Sequence, residues 1–131
     1  MRSPLLIPIL ALLTSCQTAS SNSVKALSAH DLITEYQQSK AAARDKYDGR
    51  EISVRGLAVS DAFPPLNDAD QGSISLDESS ENDGGKVVCW FSREQTAEFS
   101  HIRGGQRLTI RGVFNGEAGA ELKFCRLVKV E

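Results

Sequence analysis

Cys89, Cys125, His30 and His101 are the side chains best equipped for metal binding or nucleophilic chemistry, but their spacing supports neither. Zinc sites draw their ligands from closely spaced Cys and His pairs, and no such pair occurs here. His30 stands near a helix start and His101 in a charged helical stretch, so both read as solvated surface residues. The segment "NDADQGS" at 67–73 has the acidic spacing of a calcium loop. Its Gly falls at the wrong position, however, and no closing Glu follows at the right distance. "DESSENDGG" at 77–85 reads as a solvated turn. No nucleophile, base and acid converge, so the expectation is no enzyme, no metal and no cofactor. Two arginines raise a different chemistry. "GREISVRG" at 49–56 and "GQRLTIRG" at 105–112 repeat one pattern: alternating aliphatics followed by Arg-Gly. Arg55 and Arg111 on neighbouring strands could hold an anion; two solvated arginines are the plain alternative.

The chain starts with Met1-Arg2 and the apolar run "LLIPILALL", then "TSC". One positive charge, a short apolar run and small residues describe a secretory signal peptide, and the run is shorter than the about 20 residues a permanent span needs. Leu13-Thr14-Ser15-Cys16 resembles the bacterial lipobox. That resemblance implies cleavage before Cys16 and acylation of its thiol and new amino group, palmitate among the acyl chains. Each buried methylene contributes about 0.8 kcal/mol, so several chains anchor a protein firmly to a membrane. An ordinary signal peptide with a chance cysteine is the alternative. In the lipoproteins this resembles, Asp after the cysteine signals inner-membrane retention; Gln17 therefore favours the outer membrane. The expected organisation is a signal peptide at 1–15, the lipidated Cys16 and a Ser-rich tether over 16–27, and one folded domain at 28–131, facing the periplasm.

Charge narrows the partners. The whole chain carries −2; removal of the leader takes Arg2 with it, leaving 14 Lys and Arg against 17 Asp and Glu. An acidic domain lacks the electrostatic basis of general nucleic-acid binding, which neutralises phosphates, so nucleic acid is an unlikely partner. With Cys16 acylated, Cys89 and Cys125 remain as a pair in an oxidising compartment, where a disulfide is the expected state. Two buried thiols or a labile redox pair are the alternatives.

The elements that would position these residues follow from periodicity. Ser28 and Asp31 open a helix in capping-box fashion; Leu32, Tyr36, Ala43 and Tyr47 fall on one face, and Asp48-Gly49 stops it. The spacing predicts a helix over 29–46. From Arg50 the period becomes two, giving strands at about 51–60, 73–76 and 86–91. Ser92 opens a short helix closed by Gly104-Gly105. "QRLTIRGVFNG" and "ELKFCRLVKV" are the last two strands. Five strands with a leading helix, and a short helix between the third and fourth, is the plan of a mainly β OB-fold barrel. A generic α+β sandwich is the alternative.

In that frame the two Arg-Gly stretches are strands 1 and 4 of one barrel. Gly56 and Gly112 read as curvature devices, since Gly within a strand marks a bulge, bend or close approach. Arg55 and Arg111 have the parity opposite to the aliphatics and should face outward. Glu51 and Glu121 are candidates to screen them. Cys89 and Cys125 fall on strands 3 and 5, which are adjacent in an OB barrel. Trp90 and Phe91 lie on opposite faces. The outward one, with Phe63 or Phe114, is a candidate for the face that OB barrels use to bind oligonucleotides, oligosaccharides or peptides; plain packing is the alternative.

The segments "AAARDKYDGREISVRG", "VVCWFS", "IRGGQRLTIRGVFNG" and "LKFC" resemble the tRNA-anticodon-like OB-fold family of small bacterial exported proteins. The resemblance runs from about Leu32 to Val128. Ser39 departs from the Asn that family members often carry, and 61–85 is longer and more acidic than expected. The resemblance implies the fold with its leading helix and specifies no ligand. The reading it leaves is a membrane-anchored, non-enzymatic binding module engaging an envelope protein, peptide or glycan. The rival is a structural or stress-accessory lipoprotein acting through protein contacts alone.

Overall fold

The computed structural model describes residues 25–67, 70–77 and 85–131. The leader, Cys16 and most of the tether lie outside these residues, as does most of the acidic turn. Among the described residues no helix is long and apolar enough to cross a membrane.

The chain enters through β1 (Leu27–Ser28), two residues that pair in parallel with β2 (Glu51–Ala58). Leu27 thus belongs to the fold rather than the tether. Ser28 then caps α1 (Ala29–Gln38), its Oγ accepting from the Asp31 N–H at 3.0 Å. The single helix expected over 29–46 is in fact two. Ser39 has extended backbone, with φ −158° and ψ 103°, and α2 (Lys40–Tyr47) starts anew after it. The Ser39 N–H still closes α1 by donating to Glu35 O at 3.0 Å, while its Oγ accepts from Ala42 N at 3.1 Å. A Ser side chain competes for backbone donors in this way, so it favours a cap over a helix interior. Asn is an equally good cap. The departure from the family's Asn therefore preserves the chemistry of the position.

The remaining strands are β3 (Gly72–Asp77), β4 (Val87–Phe91), β5 (Arg107–Asn115) and β6 (Glu121–Val130). A 3-10 turn at Arg93–Gln95 and α3 (Thr96–Phe99) lie between β4 and β5. The sheet order is β1-β2-β3-β4-β6-β5, and β2 also pairs with β5, which closes the barrel. All pairings of the barrel proper are antiparallel except β4 with β6. This is the expected five-stranded OB barrel with one short added strand. Closure leaves the aliphatics of alternate positions inside: Val54, Ile74, Leu76, Val87, Leu108, Ile110 and Leu122 are fully or almost fully buried. Tyr36 and Tyr47 meet the Phe114 ring edge-on at 6.4 and 5.7 Å, joining the helices to the barrel core.

The two glycines of the repeated motif have different jobs. Gly56 sits in regular pairing opposite Leu108, but a Cβ there would lie 2.8 Å from both Ala29 Cβ and Asp77 O. It lets α1 and β3 close onto β2. Gly112 lies where the β5–β6 register shifts between Arg111 and Val113, and a Cβ would lie 2.8 Å from the Cys125 sulfur. Only the second accompanies a bulge.

Candidate ligand-binding face

The outer surface of β3 and β4 brings two aromatic residues into one row. Ser73 opposes Trp90 in the β3–β4 ladder, and on its other side it bridges to Phe63. The bridge is reciprocal: Phe63 N donates to Ser73 O at 2.8 Å and Ser73 N to Phe63 O at 2.9 Å. Directly opposed residues of antiparallel strands project to the same side. Phe63, Ser73 and Trp90 therefore form a continuous row with the smallest side chain in the middle. Phe63 is 64% exposed, and Trp90 is half-buried. In the next row Val59, also exposed, donates to Ser75 O, and Ser75 opposes Val88. Two serines thus floor a shallow trough walled by Phe63 and Val59 on one side and Trp90 and Val88 on the other.

Trp90 is held in place. Its Nε1–H donates to Glu121 Oε1 at 3.0 Å, and Lys123 Nζ stands 6.0 Å from its ring centroid. A charge-assisted hydrogen bond fixes the indole before any ligand arrives. Glu121, a candidate to screen the arginines, serves Trp90 instead.

Phe91, with the opposite parity, is buried and stacks on Phe99 of α3 at 4.3 Å. Phe114 does not join the binding face. It is 1% exposed, because inward parity on β5 carries it into the core against Tyr36 and Tyr47. Of the two, Phe63 is the one that shares a row with Trp90.

Beside the trough, the β2–β3 connection presents Phe63-Pro64-Pro65-Leu66, with Leu66 91% exposed. Pro64, Pro65 and Leu66 line a surface groove of about 370 Å³ with Arg93 and Thr96. An adjoining cavity of about 150 Å³ reaches in to Phe91 and Phe99. Thr96 Oγ1 borders both and, though shielded from solvent, has no hydrogen-bond partner. Nothing in the periodicity or spacing of the chain marks this groove. The apolar run "FPPL" within an otherwise polar loop was the available signal. The β5–β6 turn, by contrast, is clamped by the helices: Tyr36 Oη donates to Gly116 O at 2.7 Å, Lys40 Nζ to Glu117 O at 2.8 Å, and Gly116 N to Asp48 Oδ1 at 2.9 Å.

Arg55 and Arg111 are outward and exposed, on the β2–β5 side of the barrel. Arg55 makes a two-pronged pair with Glu131, at 2.7 and 2.8 Å, and this holds the Glu131 carboxyl below the usual range. Arg111 stands 3.7 Å from Glu51, so Glu51 does provide the expected screening. Cys89 and Cys125 are both fully buried, on the paired strands β4 and β6, and are unbridged in this structure. The hydrogen bond with Cys125, together with burial, pushes the Cys89 thiol well above its usual range. His30 and His101 are exposed, and no group of three or more His, Cys, Asp or Glu suited to a metal occurs among the described residues.

A closed five-stranded barrel with this strand order defines an OB fold. Residues 12–124 match the family described as tRNA_anti-like, and the chain belongs to that family. Among solved structures it is similar to a proposed nucleic acid-binding lipoprotein from Klebsiella pneumoniae subsp. pneumoniae, with a TM-score of 0.71 and 16% identity. That match covers 88% of this chain and 100% of the other, and at such identity it is a likeness of fold. Yeast Stn1 and Ten1 give a TM-score of 0.46 at 17% identity, over 82% of this chain and 65% of that one. No curated protein matches.

Proposed function

We propose that this protein is a lipid-anchored OB-fold binding module of the bacterial cell envelope, attached through Cys16, whose β3–β4 face engages an envelope polypeptide or glycan without catalysis. The observation that carries the reading is the Phe63–Ser73–Trp90 row. An exposed ring and a pre-oriented indole, separated by a serine, suit a ligand that lays flat apolar faces along the strands and offers polar groups to the trough floor. Sugars and extended peptides both have that character. The charges beside the row, Glu121 with Lys123 on β6, Asp77 on β3 and Arg93 in the adjoining groove, are mixed in sign. Single-stranded nucleic acid would want a basic track along such a face. The Klebsiella protein's description makes oligonucleotide the proper competing ligand.

Trp90 is the single tryptophan, so its fluorescence reports this face alone. The full chain in detergent would be titrated with muropeptides, oligosaccharides, extended peptides and oligonucleotides. A saturable change with one of the first three, weakened by Phe63→Ala, supports the reading. A change with oligonucleotide alone replaces it with nucleic-acid binding. No change with any of them, alongside in-cell crosslinking to one protein, favours an accessory protein acting through contacts such as the Pro64–Leu66 groove. Acyl labelling that survives Cys16→Ala would remove the anchor.

A further inference from the structure

We propose that Cys89 and Cys125 are a disulfide-forming pair that locks the β4–β6 seam of the barrel. This seam is a short one: β4 and β6 pair at Val88↔Glu121 and Cys89↔Leu122, no more positions than β2 and β3 share, whereas β2 and β5 pair along seven. It is also the one parallel contact in the barrel. A covalent link here would reinforce one of the two shortest ladders of the barrel.

Three features of the fold converge on one placement. Both cysteines are fully buried, and their thiols are within hydrogen-bonding reach of one another. Cys125 lies three residues beyond Leu122, so in a regular strand the two would point to opposite faces. Phe124 removes that mismatch. Its φ of 57° is left-handed, a conformation that a bulky side chain adopts only under constraint, and its ring is 72% exposed. The extra residue turns Cys125 inward beside Leu122. Across the bulge, Gly112 leaves room for the sulfur: a Cβ there would lie 2.8 Å from Cys125 Sγ. Filling the space with apolar atoms would require neither the strained Phe124 nor a thiol against a thiol.

The chemistry requires an oxidised dithiol donor, meaning a disulfide carrier of an oxidising compartment or glutathione disulfide. One cysteine thiolate attacks the donor disulfide, giving a mixed disulfide and releasing one donor sulfur as thiolate. The second cysteine thiolate then attacks the mixed disulfide at the first cysteine's sulfur and expels the other donor sulfur. The pair loses two electrons and two protons, and the donor is reduced to its thiols. Both sulfurs are fully buried in the closed barrel, out of reach of a donor disulfide, so exchange takes place before β6 docks. Formation in the cell rests on export; the pairing itself does not.

Peptide mapping tests this on the full chain, independently of Cys16. After alkylation of free thiols, cleavage at Lys and Arg leaves Cys89 in Val87–Arg93 and Cys125 in Phe124–Arg126. The expected result, from envelope fractions and from protein refolded with glutathione disulfide, is one cross-linked species lighter by two hydrogen atoms than the separate peptides. Reductant should lower the Tm of that same protein by roughly 10–20 °C, given a closed loop of about 36 residues. A cross-link obtained only on refolding supports the pair and places the failure with export. Both peptides alkylated in both preparations, or links between chains instead, would overturn the proposal.

Discussion

Arg55 donates to both carboxylate oxygens of Glu131, from Nε at 2.7 Å and from Nη2 at 2.8 Å, 76 residues apart in the chain. This planar fork occupies the guanidinium that the repeated Arg-Gly motif offered as an anion site. Arg55→Gln and Arg111→Gln, singly or together, should leave the Trp90 fluorescence titration unchanged within twofold. Both pairs are exposed, so the melting temperature should shift only slightly, and less at high salt.

Asp48 joins α2 to the β5–β6 turn, accepting from Arg44 Nε at 2.7 Å and Gly116 N at 2.9 Å. Burial works against its charge, but the Arg44 hydrogen bond and the Gly116 N–H prevail and hold its pKa below the usual carboxylate value. A carboxylate with a depressed folded-state pKa contributes stability above its unfolded pKa of about 3.9 and loses it as pH falls through the folded value. Urea unfolding from pH 6 downward should therefore show stability declining below about pH 4. Asp48→Asn should flatten that decline, and Asp48→Ala should cost about 1–2 kcal/mol at pH 7.

Ser39 is a cap and not a helix-interior residue. Ser39→Asn should be neutral within about 0.5 kcal/mol, whereas Ser39→Ala should destabilise by about 1 kcal/mol in chemical denaturation. Ala would be the better residue if the helix were continuous, so the sign of the Ala effect decides the matter.

Gly56→Ala should destabilise by about 1–3 kcal/mol, because the added methyl meets the Asp77 carbonyl and Ala29 Cβ, neither of which is the end of a flexible chain. Gly49→Ala should also destabilise, through its φ of 77°, although no atom crowds that position. Thermal melts of the two variants separate crowding from backbone conformation: Ala29→Gly should relieve only the Ala29 part of the Gly56→Ala loss, leaving the Asp77 carbonyl contact, and none of the Gly49→Ala loss.

Phe63→Ala should weaken ligand binding by about 1–3 kcal/mol, the usual worth of one stacking ring. Its exposure predicts a nearly unchanged melting temperature. Phe114→Ala is the contrasting control. It should cost about 3–5 kcal/mol of stability and act on binding only through the fold.

Local rules made much of this molecule readable. Period-two alternation located all five barrel strands within a few residues, because a closed barrel sorts side chains by parity. The order of the elements then named the fold. The outward direction of Arg55 and Arg111 came from the same parity. Where a local signal had two readings, sequence reasoning erred or stopped. Ser39 inside an Ala-rich stretch suits a helix by propensity and a cap by its hydroxyl; packing of α1 and α2 on different parts of the barrel decided for the cap. Parity placed one of Trp90 and Phe91 outward without saying which. For Phe114 a single aromatic letter carried no hint of Tyr36 and Tyr47 closing over it.

The barrel, its leading helical segment, the acidic balance and the adjacency of the strands that carry Cys89 and Cys125 are all legible in the order of residues. Those properties follow from periodicity, composition and element order, which are local or additive along the chain. Three relationships emerge with the closed fold alone: Phe63 and Trp90 share a row across Ser73, Glu131 closes on Arg55, and a bulge at Phe124 turns Cys125 inward. Each of these depends on strand register, and register is set by the whole closed sheet: a slip of one residue would send every one of these side chains to the other face.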